Sequence, residues 1–167
     1  KINFIIALII SLTSVSYACN FLKESMGTSI ATLGDRYDEF TLSAEDDYGD
    51  ETVLVEYDTS YVCDEPLLNE TYLKIYVREK KLIGIQIEAL EAKNTNKIYQ
   101  FAKNNFGLDD EKVKAEEWVG VIDLSFGDSV ILYGKIDEPD GIYETLELTN
   151  VEYQDYLIKG DILEITN

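Results

Sequence analysis

Alternation of apolar and polar positions is clearest over residues 71–88. Leu73, Ile75 and Val77 fall on one side of an extended chain, with Tyr72, Lys74, Tyr76 and Arg78 on the other. After the polar turn Glu79-Lys80-Lys81, Ile83, Ile85 and Ile87 alternate with Gly84, Gln86 and Glu88. Two such runs joined by a short turn predict a β-hairpin with one buried face.

A longer period follows. Ile98, Phe101, Ala102 and Phe106 share one helical stripe, Asn96 stands where a cap is needed, and Gly107 stands where a left-handed C-terminal residue is expected. These signals predict a helix over 96–106. Its stripe needs cover, and the isoleucine face of the preceding hairpin is the nearest in sequence. Residues 109–117 are strongly charged and read as a loop or a single helical turn.

Alternation returns over 118–124, 129–136 and 142–149, punctuated by Gly127-Asp128 and Pro139-Asp140-Gly141. Upstream, 39–43 and 52–58 read as the strands of another hairpin, with an acidic tip over 45–51. Phe21, Leu22, Met26, Ile30 and Leu33 lie near helical spacing, with Gly27 and Gly34 as stops. Near the C-terminus, Tyr153, Tyr156 and Leu157 suit a helical turn ending at Gly160, whereas 161–166 look extended. The sum is an α+β chain: an antiparallel meander sheet with one main helix, about 96–106, packed on one face. No Pro-rich or Gly/Ser-rich linker and no internal repeat interrupts 19–167, which is expected to be a single acidic domain.

Residues 1–18 break the pattern. Lys1, an apolar run over 4–10, and the small residues Ser16 and Ala18 predict a signal segment cut after Ala18. The run is too short to span a bilayer comfortably. Cleavage there leaves Cys19 first, and three fates follow. Cys19 pairs with Cys63 in an oxidising compartment, it carries the lipid of a bacterial envelope lipoprotein, or both cysteines stay free thiols. Ser16 and Tyr17 depart from the usual lipoprotein box, while Ala18 fits it.

Charge narrows the partners. Lys and Arg total 14 against 33 Asp and Glu, a net charge of −19; without Lys1 there are 13 against 33, or −20. Such a chain repels nucleic acid and anionic membrane, because it cannot displace counterions from phosphates. A basic protein, Ca²⁺ or a cationic small molecule suits it, and the same charge also serves solubility alone. With no His in the sequence, His-based triads, His metal ligands and the usual pH switch are excluded.

Three groups of residues are candidates for function. The stretch Glu45-Asp46-Asp47-Tyr48-Gly49-Asp50-Glu51 offers carboxylates to Ca²⁺ but lacks the EF-hand spacing; Asp46, Asp47, Asp50 and Glu51 otherwise steer a basic partner or decorate a solvated tip. Tyr72 and Tyr76, beside Lys74 and Arg78, are residue types that anchor protein interfaces, unless a second layer such as the N-terminal segment covers them. Cys19 and Cys63 are the disulfide or lipidation positions. No nucleophile elbow or phosphate loop is present, and spacing alone does not single out a catalytic pair among 33 acids. Asn69-Glu70-Thr71 is a glycosylation sequon, relevant in a eukaryotic secretory route. The expectation is an exported, non-enzymatic protein that works by protein–protein contact, such as an inhibitor or immunity-type partner of a basic enzyme or toxin. A structural envelope lipoprotein anchored at Cys19 and a Ca²⁺-binding module are the alternatives.

Overall fold

A computed structural model describes residues 19–37, 50–92, 95–114, 117–159 and 162–165. The expected strand 39–43, the expected signal segment, and Asp46 and Asp47 lie outside the described residues.

Strands β1 (Thr52–Asp58), β2 (Thr71–Arg78) and β3 (Lys81–Ala89) form one antiparallel meander. A second meander comprises β4 (Gly120–Phe126), β5 (Ser129–Glu138) and β6 (Gly141–Asn150). They join where β6 pairs antiparallel with β3, and β7 (Ile162–Ile165) adds a parallel edge to β1. The sheet order is therefore β4-β5-β6-β3-β2-β1-β7. The fold is α+β with a mainly antiparallel sheet.

The hairpin of residues 71–88 forms as its alternation predicts, with one correction. Tyr76 pairs with Gly84 and Val77 with Leu82, so Ile83 is the extra residue of a β-bulge. Leu82 takes the inward place expected for Ile83, and Ile83 is buried apart from the central cluster. The two-residue turn Glu79-Lys80 has both φ values positive, 49° and 58°, the handedness that suits a tight hairpin but that neither side chain favours. The N-terminal segment holds it from outside: Ile30 N–H donates to Lys80 O, and Leu82 N–H donates to Thr28 O at 2.8 Å.

That segment is not the continuous helix its spacing suggests. It makes a 3₁₀ turn (Asn20–Lys23), turns at Gly27 with φ 89°, and starts α1 (Ile30–Arg36) only after Ser29, whose hydroxyl accepts from Thr32 N–H. Gly34 sits inside α1 and stops nothing. Cys19 is bonded to Cys63, tying this segment to the connection between β1 and β2. Both sulfurs are buried in the core, and a sulfur in a disulfide cannot also carry a thioether lipid.

Helix α2 (Lys97–Phe106) lies on the core face over β6 and the turn Pro66–Leu68. Its Ile98, Phe101 and Ala102 enter one cluster with Leu73 and Ile75 of β2, Ile85 and Ile87 of β3, and Leu146 and Leu148 of β6. The helix thus reaches the isoleucine face, but its closest strand is one that comes later in the chain. Gly107 ends it at φ 75°, as expected. Asn96 does not cap it: its φ is 55° and its side chain makes no capping bond. The cap is Glu144 of β6, whose carboxylate accepts from Tyr99 N–H at 3.1 Å.

Among the described residues, the opposite face of the sheet is covered at one end only. Helix α3 (Gln154–Lys159) places Leu157 over Gly84, and the Arg78 guanidinium lies 4.4 Å from the centre of the Tyr156 ring. Gly84 leaves room for that side chain: a Cβ would stand 2.7 Å from Leu157 Cδ1, so a larger residue there makes the leucine move. Gly84→Val is expected to push α3 off the sheet, with faster amide exchange over Gln154–Lys159 and a loss of roughly 1–3 kcal/mol in denaturant unfolding. Unchanged exchange there contradicts this packing.

Candidate functional site

Strand registers fix what the remainder of that outer face presents. Asp123, Leu132, Glu147, Gln86, Lys74 and Glu56 run across it from β4 to β1. The next row is Val121, Gly134, Thr145, Glu88, Tyr72 and Asp58. Beyond it, Ile136 faces Tyr143. Apolar side chains remain open to solvent along these rows: Val121 is 65% exposed, Ile136 43% and Tyr72 37%. The row that passes Gly84 differs, with Leu54, Ile83, Val130 and Thr149 buried.

The charge on the open rows is one-sided. Five acids, Glu56, Asp58, Glu88, Asp123 and Glu147, stand against Lys74, whose Nζ donates to Glu88 Oε2 and lies 3.9 Å from Glu56. Burial raises the Glu147 carboxyl above the usual carboxylate range, and this side chain makes no hydrogen bond or ion pair with any described residue. Asp58 is held below that range because it accepts from the Ser60 hydroxyl and backbone N–H. At the β5–β6 turn, Tyr143 donates its hydroxyl proton to Asp140 at 2.7 Å. That bond, then partial burial and the charges of Asp140, Glu138 and Glu88, raises the Tyr143 pKa.

The residues singled out from sequence do not gather in one place. Tyr72 and Tyr76 both face outward on β2, as the alternation predicts, but their environments differ. Tyr76 lies beside Gly84 next to α3 and donates to Gln86 Oε1 at 2.7 Å; Tyr72 stands on the open part. Among the described residues, the cover beside Tyr76 comes from the C-terminal α3. Asp50 and Glu51 are exposed just before β1, at the end opposite Asp58 and Tyr72, about 20 Å along the strand. Among the described residues no three Cys, Asp or Glu side chains converge at a spacing that could hold a metal ion. Asn69 of the sequon is exposed, beside the turn Pro66–Leu68.

Sequence reasoning missed Ile136, Tyr143, Glu138 and Asp140 as members of this face. The alternation Tyr143, Thr145, Glu147 on β6 carried the signal, but only the β3–β6 pairing puts those residues beside Gln86 and Glu88.

A second polar group lies on the core face and is sealed. Lys135, 1% exposed, donates to Asn96 Oδ1 at 2.7 Å and to Val113 O at 2.9 Å. It pairs in register with Glu144, also 1% exposed. Burial lowers the Lys135 pKa, and the Glu144 charge partly offsets that effect. Burial, followed by the same carboxylate, pushes the Tyr133 phenol far above its ordinary range. These groups fasten the start of α2 and the segment at Val113 to β5 and β6; their donors and acceptors point into the protein.

Among the described residues no helix is long and apolar enough to cross a membrane. No protein-family model matches this chain, and no match was found among curated proteins or solved structures.

Proposed function

We propose that this protein is an exported, acidic binding protein that docks a basic protein against the uncovered face of its sheet, as an inhibitor or immunity-type partner of a basic enzyme or toxin does. The observation that carries this reading is the composition of that face. Exposed Tyr72, Val121 and Ile136 supply apolar contact area, and the surrounding acids outnumber the cation Lys74 five to one. Apolar patches left open on a folded domain mark contact surfaces, and a surrounding carboxylate field speeds the encounter with a cationic partner. Export is supported by the Cys19–Cys63 bridge, a bond that persists in oxidising compartments, and by the signal-like pattern of residues 1–18. A non-enzymatic role agrees with a polar cluster at Lys135 and Glu144 whose hydrogen bonds are spent on the fold.

Affinity capture from the native envelope or medium, washed at low and then moderate salt, tests the reading. A basic protein retained at low salt and weakened at moderate salt is the expected result. Its affinity should fall about tenfold or more for Tyr72→Ala. Asn104→Ala on the exposed side of α2 should leave it unchanged. Equal affinity for wild type and Tyr72→Ala overturns the assignment of this face.

A further inference from the structure

The open face is not uniform. Where β5 and β6 approach their shared turn, it sinks into a cavity of about 320 Å³. Ile136 and the Tyr143 ring, opposite each other in register, form its apolar wall, and Thr145 and Gln86 line it further along. Gly134, next outward on β5, adds no side chain to fill it; a Cβ there would lie 3.0 Å from Thr145 Oγ1. Glu88, Glu138 and Asp140 stand around the opening. Glu88 already holds the ammonium of Lys74, and Asp140 accepts the Tyr143 hydroxyl, whereas exposed Glu138 makes no hydrogen bond or ion pair with any described residue.

This is an apolar groove with an anionic mouth. An arginine or lysine side chain has the matching order of parts, an aliphatic stem that buries well and a cationic head that seeks carboxylate. A neutral aliphatic chain would leave the acids uncompensated, and a small cation alone would leave Ile136 bare. The raised pKa of Tyr143 agrees with a standing negative potential at the mouth.

We infer that this groove takes one arginine or lysine side chain of the basic partner, with its stem against Ile136 and Tyr143 and its head at Glu138 and Asp140. The inference rests on the proposed function, and it names the anchoring contact within the face.

The test uses the disulfide-bonded protein with Nα-acetyl-L-arginine amide as probe, followed by backbone and side-chain amide shifts in NMR. Saturable shifts centred on Thr145 and the Gln86 side-chain amide are expected. They should be absent with Nα-acetyl-norleucine amide, which keeps an aliphatic stem and lacks the charge. Saturation should be lost in E138Q/D140N and retained in D64N/E117Q, which removes the same charge from exposed positions outside the groove. Non-saturating shifts spread over many acidic residues, or equal shifts in the two variants, overturn the inference. Tyr72 does not line the cavity, so the effect of Tyr72→Ala on partner affinity reports on the face independently of the groove. A groove that fails beside a face that holds, or the reverse, is thus recognised as such.

Discussion

Removing the Cys19–Cys63 bridge by a double Cys→Ala change lowers the unfolding free energy by about 3–4 kcal/mol. The bridge joins residues 44 apart, and a cross-link over such a span removes a large part of the freedom of the unfolded chain. Its position adds to the effect. Cys19 opens the segment whose backbone holds the Glu79-Lys80 turn, and Cys63 lies in the long connection between β1 and β2. Both are buried in one cluster with Phe21 and Leu68, so the two segments the bridge ties together carry core side chains. Denaturant unfolding of wild type and the double variant measures the difference. A change below about 1 kcal/mol would mean that packing alone holds the N-terminal segment in place.

Lys135→Met is the second large effect, with an expected loss of about 3–5 kcal/mol. It leaves the buried Glu144 carboxylate without the cation opposite it and strips Asn96 Oδ1 and Val113 O of their donor. Glu144→Gln alone is also destabilising, since it leaves Lys135 buried with its charge unbalanced. Adding Glu144→Gln to Lys135→Met should restore part of the loss, because the uncompensated charge is gone; strictly additive losses would contradict the coupling. The pH dependence has a definite sign. The folded-state pKa of Lys135 lies below its unfolded value, so between the two the unfolded chain binds more protons and this group makes stability rise with pH. Tyr133 acts oppositely, because its raised folded-state pKa favours unfolding once the pH passes the ordinary phenol range. The difference between wild type and Lys135→Met isolates the lysine contribution.

Local pattern revealed the elements of this fold better than their assembly. Alternation placed β2, β5 and β6 to within a few residues, and the stripe from Ile98 to Phe106 located α2, since these periods depend only on which side of the chain is buried. The pairing of β3 with β6, and the parallel seat of β7 on β1, join segments far apart in sequence, and no local period encodes them. The bulge at Ile83 shows a similar limit: strict alternation put Ile83 inward, but one extra residue hands that place to Leu82. For the helix start the signal was present in another form. Lys135 shares the parity of Ile131 and Tyr133, and Glu144 that of Leu146 and Leu148, so two opposite charges stood at inward positions of adjacent strands. Asn96 supplied the familiar capping residue type, yet a buried carboxylate from the sheet makes the bond. The outer face was half legible: Tyr72 and Tyr76 were placed outward, whereas the cover by α3 and the neighbours across β6 required the assembled sheet.

Carboxyl footprinting of the protein alone and with its captured basic partner shows whether the outer face of the sheet is the docking surface. Carbodiimide labelling read by mass spectrometry reports the accessibility of each acid. Glu56, Glu88, Asp123 and Glu138 are expected to lose reactivity in the complex, while Asp109 and Glu111, beyond α2, keep theirs. Protection at Asp109 and Glu111 with the four outer-face acids unchanged would contradict this assignment.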